Sequence, residues 1–182
     1  SLLLWPLAYL YGCILRVREL FFDLDITRPK PAPVPIIIVG NIRVGGTGKT
    51  PIVIAITERL NQLGWKPAII SRGYGSSTQN HPLQVKSSSD PSIVGDEPLL
   101  IAKRTHDQFP IWVFPSRKES IKALLKENRD VNVIVSDDGL QHRDLVRWPA
   151  REGGRDIEFV VRDSRGEGNR FLLPAGPLRE PA

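Results

Sequence analysis

Apolar positions fall into two kinds of run along the chain. Compact, nearly continuous blocks occupy residues 36–39, 67–70, 111–114, 131–135 and 157–161. Their length and their content of Ile and Val are those of buried strands. Between them, residues 51–63, 99–105 and 116–126 carry the spacing of helices. Gly64 supplies a stop for the first helix, and Asp96-Glu97-Pro98 reads as the start of the second. Residues 76–92 are polar and read as a loop, with a short strand near Leu83-Gln84-Val85. Residues 144–155 are arginine-rich around Trp148-Pro149 and Gly153-Gly154 and read as a surface loop. Strand alternating with helix predicts an α/β fold, a mostly parallel sheet flanked by helices on both faces. Ligands of such sheets bind beyond the C-terminal ends of the strands.

The N-terminal segment has a different character. Leu3, Leu7, Leu10, Ile14 and Val17 recur at helical spacing, and Trp5, Tyr9 and Tyr11 are residues that favour a membrane interface. The apolar run is shorter than the ~20 residues a spanning helix needs, and Arg16 and Arg18 interrupt it. Two readings follow: a helix packed on the core, or an amphipathic helix lying in a bilayer surface. The alternating prolines from Thr27 to Pro35 exclude helix and favour an extended spacer. The expected organisation is an N-terminal helix over 1–26, a proline-rich linker over 27–35 and a nucleotide-binding domain over 36–182.

Composition narrows the possibilities modestly. The chain has 182 residues, a formal net charge of +5, and 41% hydrophobic and 25% charged residues, an ordinary globular balance. Its mild basicity suits anionic ligands or surfaces. The positive charges form no dense stripe and no nucleic-acid recognition motif is present, so nucleic acid is not an expected partner. Cys13 is the single cysteine, which excludes an intramolecular disulfide and a cysteine zinc site. His81, His106 and His142 are too scattered to suggest a metal centre.

Candidate chemistry sits at predicted strand C-termini. The block at 36–39 runs into Gly40-Asn41-Ile42-Arg43-Val44-Gly45-Gly46-Thr47-Gly48-Lys49-Thr50, with a helix following. Backbone N–H groups of Gly45, Gly46, Thr47 and Gly48 can converge on phosphate, Lys49 adds charge, and the Thr50 hydroxyl stands where a Mg²⁺ ligand is needed. Arg43 replaces the first glycine of the usual phosphate-loop pattern. Asp137-Asp138 ends the block at 131–135, as in a Walker B site that holds Mg²⁺. Asp96 either caps a helix or serves as the base for an attacking hydroxyl. Ser71-Arg72-Gly73-Tyr74-Gly75 is either a plain turn or a place where Arg72 meets phosphate and Tyr74 a sugar or acyl chain. The Asn-Lys-x-Asp element of guanine specificity is absent, which favours ATP over GTP.

Five blocks in order resemble the tetraacyldisaccharide 4'-kinase family of lipid A synthesis. They are Val39-Gly40-Asn41 with the loop through Pro51, Ser71-Arg72-Gly73-Tyr74-Gly75, Gly95-Asp96-Glu97-Pro98, Asp137-Asp138-Gly139-Leu140-Gln141-His142, and the stretch from Leu172 to Pro181. The resemblance covers nearly the whole chain and accommodates Arg43. It implies a P-loop NTPase-like fold and transfer of the ATP γ-phosphate to the 4'-hydroxyl of a tetraacyldisaccharide 1-phosphate, giving lipid IVA.

By the same resemblance, Lys49 and Asp96 are catalytic, and residues 45–50 with Arg179 bind ATP. Thr50, Asp137, Asp138 and Glu180 serve Mg²⁺, and Arg72, Tyr74, Gln141 and His142 lie at the substrate. The implied cofactors are ATP and Mg²⁺. The implied partners are the lipid-linked disaccharide and a membrane surface, the cytoplasmic face of the bacterial inner membrane, with no obligate protein partner. Family members continue beyond the position of Ala182 into a smaller second α/β domain, so a fragment is expected here, without the histidine that partners the catalytic aspartate. The lipid substrate shifts the reading of the N-terminal helix toward membrane docking. The alternative is a P-loop switch or partitioning ATPase acting through protein partners.

Overall fold

The computed structural model describes residues 4–23, 31–41, 48–73, 80–140, 145, 148, 153–162 and 171–178. The elements in chain order are α1 (Trp5–Asp23), β1 (Ile36–Gly40), α2 (Lys49–Gln62), β2 (Pro67–Ser71), β3 (Leu83–Val85), α3 (Pro91–Val94), α4 (Asp96–Arg104), β4 (Ile111–Val113), α5 (Arg117–Glu127), β5 (Val133–Asp137) and β6 (Ile157–Val160). The chain divides into two compact units, one of residues 1–29, 41–48 and 160–182, the other of residues 30–40 and 49–159.

The larger unit is built on the sheet, whose strand order is β3-β4-β2-β5-β1-β6. Strands β1, β5, β2 and β4 run parallel, and β3 returns antiparallel to β4. Every residue of β1, β2, β4 and β5 is buried, as expected for strands covered on both faces. One face presents Ile36, Ile38, Ala68, Ile70, Trp112 and Ile134 to Ile121 and Leu124 of α5. The alternate residues, among them Ile37, Val39, Ile69, Ile111, Val113 and Val135, are buried on the opposite face, where α2 and α4 contact the strands. The α/β sandwich expected from the sequence is therefore present.

Local signals place the helix ends. Ser116 caps α5 by accepting from the Glu119 N–H, and Asp90 caps α3 by accepting from the Ser92 N–H. Helix α3 falls in a stretch read from sequence as polar loop. Asp90-Pro91 starts a single turn there, with proline in its first turn. Gly95 closes α3 and opens α4 with φ +88, a conformation that glycine tolerates and L side chains resist. Leu145, inside the segment read as a surface loop, is instead buried in the α5-side core. Asp156 ties two ends of this unit together. Its Oδ1 accepts from the Ile36 N–H at 2.9 Å and its Oδ2 from the Trp148 N–H at 2.8 Å.

In the smaller unit, α1 turns Ala8 and Leu15 inward and leaves Leu7, Leu10 and Ile14 exposed. A side chain at Gly12 would come within 3.2 Å of Leu172 Cδ1, so glycine permits that close approach. Leu172 pairs with Leu178 in an isolated bridge, and the Leu173–Pro174 peptide is cis. Among the described residues no helix is long and apolar enough to cross a membrane.

Candidate functional site

Three adjacent parallel strands, β2, β5 and β1, end together on one rim at Ser71, Asp137 and Gly40. Val39 is in register with Asp137, so the acidic strand end lies level with the strand that feeds the phosphate loop. The chain reaches this arrangement by skipping a place: β2 follows β1 in sequence, but β5 inserts between them. Such a point opens a crevice at the strand ends. Gly40 has no room for a side chain, because a Cβ there would sit 2.5 Å from Leu140 Cγ. Leu140 thereby packs directly over the end of β1.

Gly48 has φ +75, the left-handed conformation that admits glycine, and α2 starts at Lys49 immediately after it. Lys49 Nζ lies 3.1 Å from Asp138 Oδ1, with the lysine side chain 11% and the aspartate side chain 35% accessible. Asp138 itself adopts φ +52, uncommon for a residue with a Cβ. Thr50 follows Lys49 in the first turn of α2, partly exposed.

Asp137 is in a different situation. It is buried, and among the described residues neither carboxyl oxygen has a hydrogen-bond partner. Burial pushes its pKa up to about 6, and Glu97 and Asp138 push in the same direction while Lys49 and Arg117 oppose them. A buried carboxylate with two unused oxygens and two further acids within electrostatic reach is an arrangement an added cation relieves. The described residues contain no group of three His, Cys, Asp or Glu able to hold a metal by themselves. Mg²⁺ takes one or two carboxylates together with phosphate oxygens and water, a donor set that Asp137 and Asp138 could begin.

The structure thus brings together Lys49, Asp137 and Asp138 among the residues expected from sequence. Asp96 stands in the first turn of α4, exposed, with Gly95 rather than Asp96 at the cap position. The capping role weighed for Asp96 is therefore taken by the residue before it. Arg72 is exposed one residue beyond β2. Gly45, Gly46, Thr47, Tyr74, Gln141, His142, Arg179 and Glu180 lie outside the described residues. Two further residues belong to the site. Glu97 acts on Asp137 electrostatically from the start of α4. Arg117 donates from Nη2 to the Asp137 carbonyl at 2.8 Å. Glu97 was visible in the Gly95-to-Pro98 block, next to the acid that received the role. Arg117 gave no signal, since an arginine beside Lys118 and Glu119 at a helix start reads as a solvated charge.

A mostly parallel sheet with Gly-Lys-Thr opening the helix after β1, and an acidic pair ending the neighbouring strand, defines a P-loop nucleotide-binding protein. The family model described as tetraacyldisaccharide-1-P 4'-kinase, LpxK, matches residues 1–182, and the chain belongs to that family. A tetraacyldisaccharide 4'-kinase of Polynucleobacter asymbioticus is 78% identical over 182 residues, which are 100% of this chain and 50% of that protein. The Pasteurella multocida protein of the same name is 49% identical over 98% of this chain and 52% of its own length. The chain spans about half the length of the curated relatives it matches. The crystal structure of LpxK from Aquifex aeolicus in complex with ATP superposes with a TM-score of 0.81 at 32% identity, covering 98% of this chain and 53% of that one.

Proposed function

We propose that the protein transfers the γ-phosphate of ATP to the 4'-hydroxyl of tetraacyldisaccharide 1-phosphate, forming lipid IVA at the cytoplasmic face of the inner membrane. The observation that carries this reading is the Lys49–Asp138 pair, set beside an Asp137 whose carboxyl oxygens are unused. The family membership supplies the acceptor.

In this reading the backbone of residues 45–48 and the Lys49 ammonium hold the β- and γ-phosphates. Thr50, Asp137 and Asp138, with Glu180, hold Mg²⁺. When bound, the metal would supply positive charge to the phosphate oxygens. The bond between the γ-phosphorus and the bridging oxygen to the β-phosphate breaks, with that oxygen leaving on ADP. Asp96 takes the proton of the 4'-hydroxyl as its oxygen bonds to the γ-phosphorus, and ADP leaves. Its exposure at the start of α4 leaves its carboxylate accessible to an acceptor. Glu97, one residue on, keeps that turn within electrostatic reach of Asp137. Arg72 and Tyr74, with Gln141 and His142, meet the disaccharide, and Arg179 assists at the nucleotide.

The acceptor is a lipid, so the enzyme works at a bilayer. Helix α1 carries Leu7, Leu10 and Ile14 on one exposed stripe, beside the buried Ala8 and Leu15. An apolar stripe facing water on a helix that is not long and apolar enough to cross a membrane suits shallow insertion among headgroups. The test is phosphate transfer from labelled ATP to the disaccharide by the family-length protein. Lys49→Ala is expected to lower it by about 10²–10³-fold, as for loss of a charge-stabilising group. Wild-type transfer by that variant refutes the site.

A further inference from the structure

Arg117 is the largest fully buried side chain among the described residues, and the phosphate chemistry does not use it directly. Withdrawing a guanidinium from water is costly unless its donors are met. Nη2 donates to the carbonyl of Asp137 at 2.8 Å, and Nη1 reaches the carbonyl of Phe114 at 3.5 Å. Phe114 follows β4 and Asp137 ends β5, the two strands that flank β2. One planar side chain therefore ties the end of β5 to the residue after β4, on the rim that carries the site. Phe114 is held from its other side too, its N–H donating to Ser71 at the end of β2.

The Asp137 carbonyl belongs to the peptide unit whose nitrogen is that of Asp138. Peptide units are planar, so fixing that oxygen fixes the plane from which Asp138 departs. Asp138 departs with φ +52, a sparsely populated conformation for a non-glycine residue that persists only where the surroundings hold it. In that conformation its carboxylate meets Lys49. The sequence of causes runs from Arg117 to the 137–138 peptide, to the backbone of Asp138, and to the carboxylates.

We propose that Arg117 is a positioning residue that locks the 137–138 peptide and so presents both carboxylates to the metal and to Lys49. The identity of the cation rests on the phosphotransfer reading above. A lysine at this position offers one point charge in place of a fork that spans two carbonyls, and a methionine offers volume with no donor.

The test uses the full chain with Arg117→Met and Arg117→Lys. Mn²⁺ binding in the presence of a non-hydrolysable ATP analogue is read by electron paramagnetic resonance, and the folded fraction by circular dichroism. Loss of a residue that orients metal ligands weakens metal binding by about 10–100-fold, and that is the expectation for folded Arg117→Met. Arg117→Lys is expected between it and wild type. Wild-type Mn²⁺ affinity in folded Arg117→Met overturns the proposal, as does a loss that merely tracks the unfolded fraction. Where Arg117→Met does not fold, wild-type Mn²⁺ affinity in Arg117→Lys overturns it. Arg117-dependent Mn²⁺ binding by a protein that phosphorylates no lipid acceptor supports the positioning role and removes the phosphotransfer reading.

Discussion

Lys49 Nζ and Asp138 Oδ1 are 3.1 Å apart, joining the first residue of α2 to the residue that follows β5. In the proposed reading, the group that meets phosphate is thus held by a group that meets the metal. Strand order makes this possible, because β5 lies directly beside β1.

The two residues are expected to act as a unit. Lys49→Ala and Asp138→Asn each lower kcat/KM for transfer by about 10²–10³-fold. The double variant loses far less than the product of the two, because the second change removes a group already disabled. Steady-state kinetics of the three variants checks this. A double loss equal to the product contradicts the coupling.

Asp137 gives the protein an acid-side stability profile of unusual sign. Its pKa rises from 3.8 to about 6 on folding, so the folded state binds the proton more tightly than the unfolded state. Stability from this group is greatest below pH 4 and falls as pH rises toward 6, by up to about 3 kcal/mol for a shift of some two units. Salt-bridged carboxylates contribute the opposite slope. Asp137→Asn removes the slope and is expected to raise the denaturation midpoint at pH 7–8 in chelator while abolishing transfer. Urea titrations of both forms across pH 4–8 measure it.

Asp156→Ala is expected to destabilise the fold by about 2–3 kcal/mol. The aspartate accepts from the N–H groups of Ile36 and Trp148, and its loss strands the N–H at the buried start of β1. Equilibrium chemical denaturation gives the number. A change below about 0.5 kcal/mol, the range of an ordinary surface substitution, contradicts the assignment.

Membrane docking through α1 is tested by Leu10→Glu and Ile14→Glu, both at exposed positions where folding is not at stake. Each removes apolar surface worth about 1.5 kcal/mol or more when buried, so sedimentation with anionic vesicles is expected to weaken about tenfold per change. Unchanged sedimentation argues that α1 does not enter the bilayer.

What the sequence made legible follows from how strongly each signal is local. The helices at 51–63 and 116–126 were readable from their spacing. The block at 157–161 forms a strand, β6, but its residues are exposed rather than buried as its apolar content suggested. The blocks that form β1, β2, β4 and β5 were readable because burial on both faces demands unbroken apolar runs. Lys49 and the Asp137-Asp138 pair were readable because each stands at the end of such a run. The turn of α3 was hidden by its polarity, although Asp90-Pro91 marks it. Arg117, Leu145 and Asp156 were hidden for a different reason. Each looks like ordinary surface in its own neighbourhood, and only tertiary contacts withdraw it from water. The antiparallel return of β3 and the insertion of β5 beside β1 are likewise facts of topology, which periodicity does not encode.

The most direct measurement is transfer of label from γ-labelled ATP to tetraacyldisaccharide 1-phosphate by the family-length protein and by its Asp96→Ala variant, with and without Mg²⁺. The account predicts Mg²⁺-dependent label on the 4'-oxygen of the lipid, reduced about 10²–10⁴-fold without the Asp96 carboxylate. Label appearing only as inorganic phosphate, or equal transfer by Asp96→Ala, contradicts it.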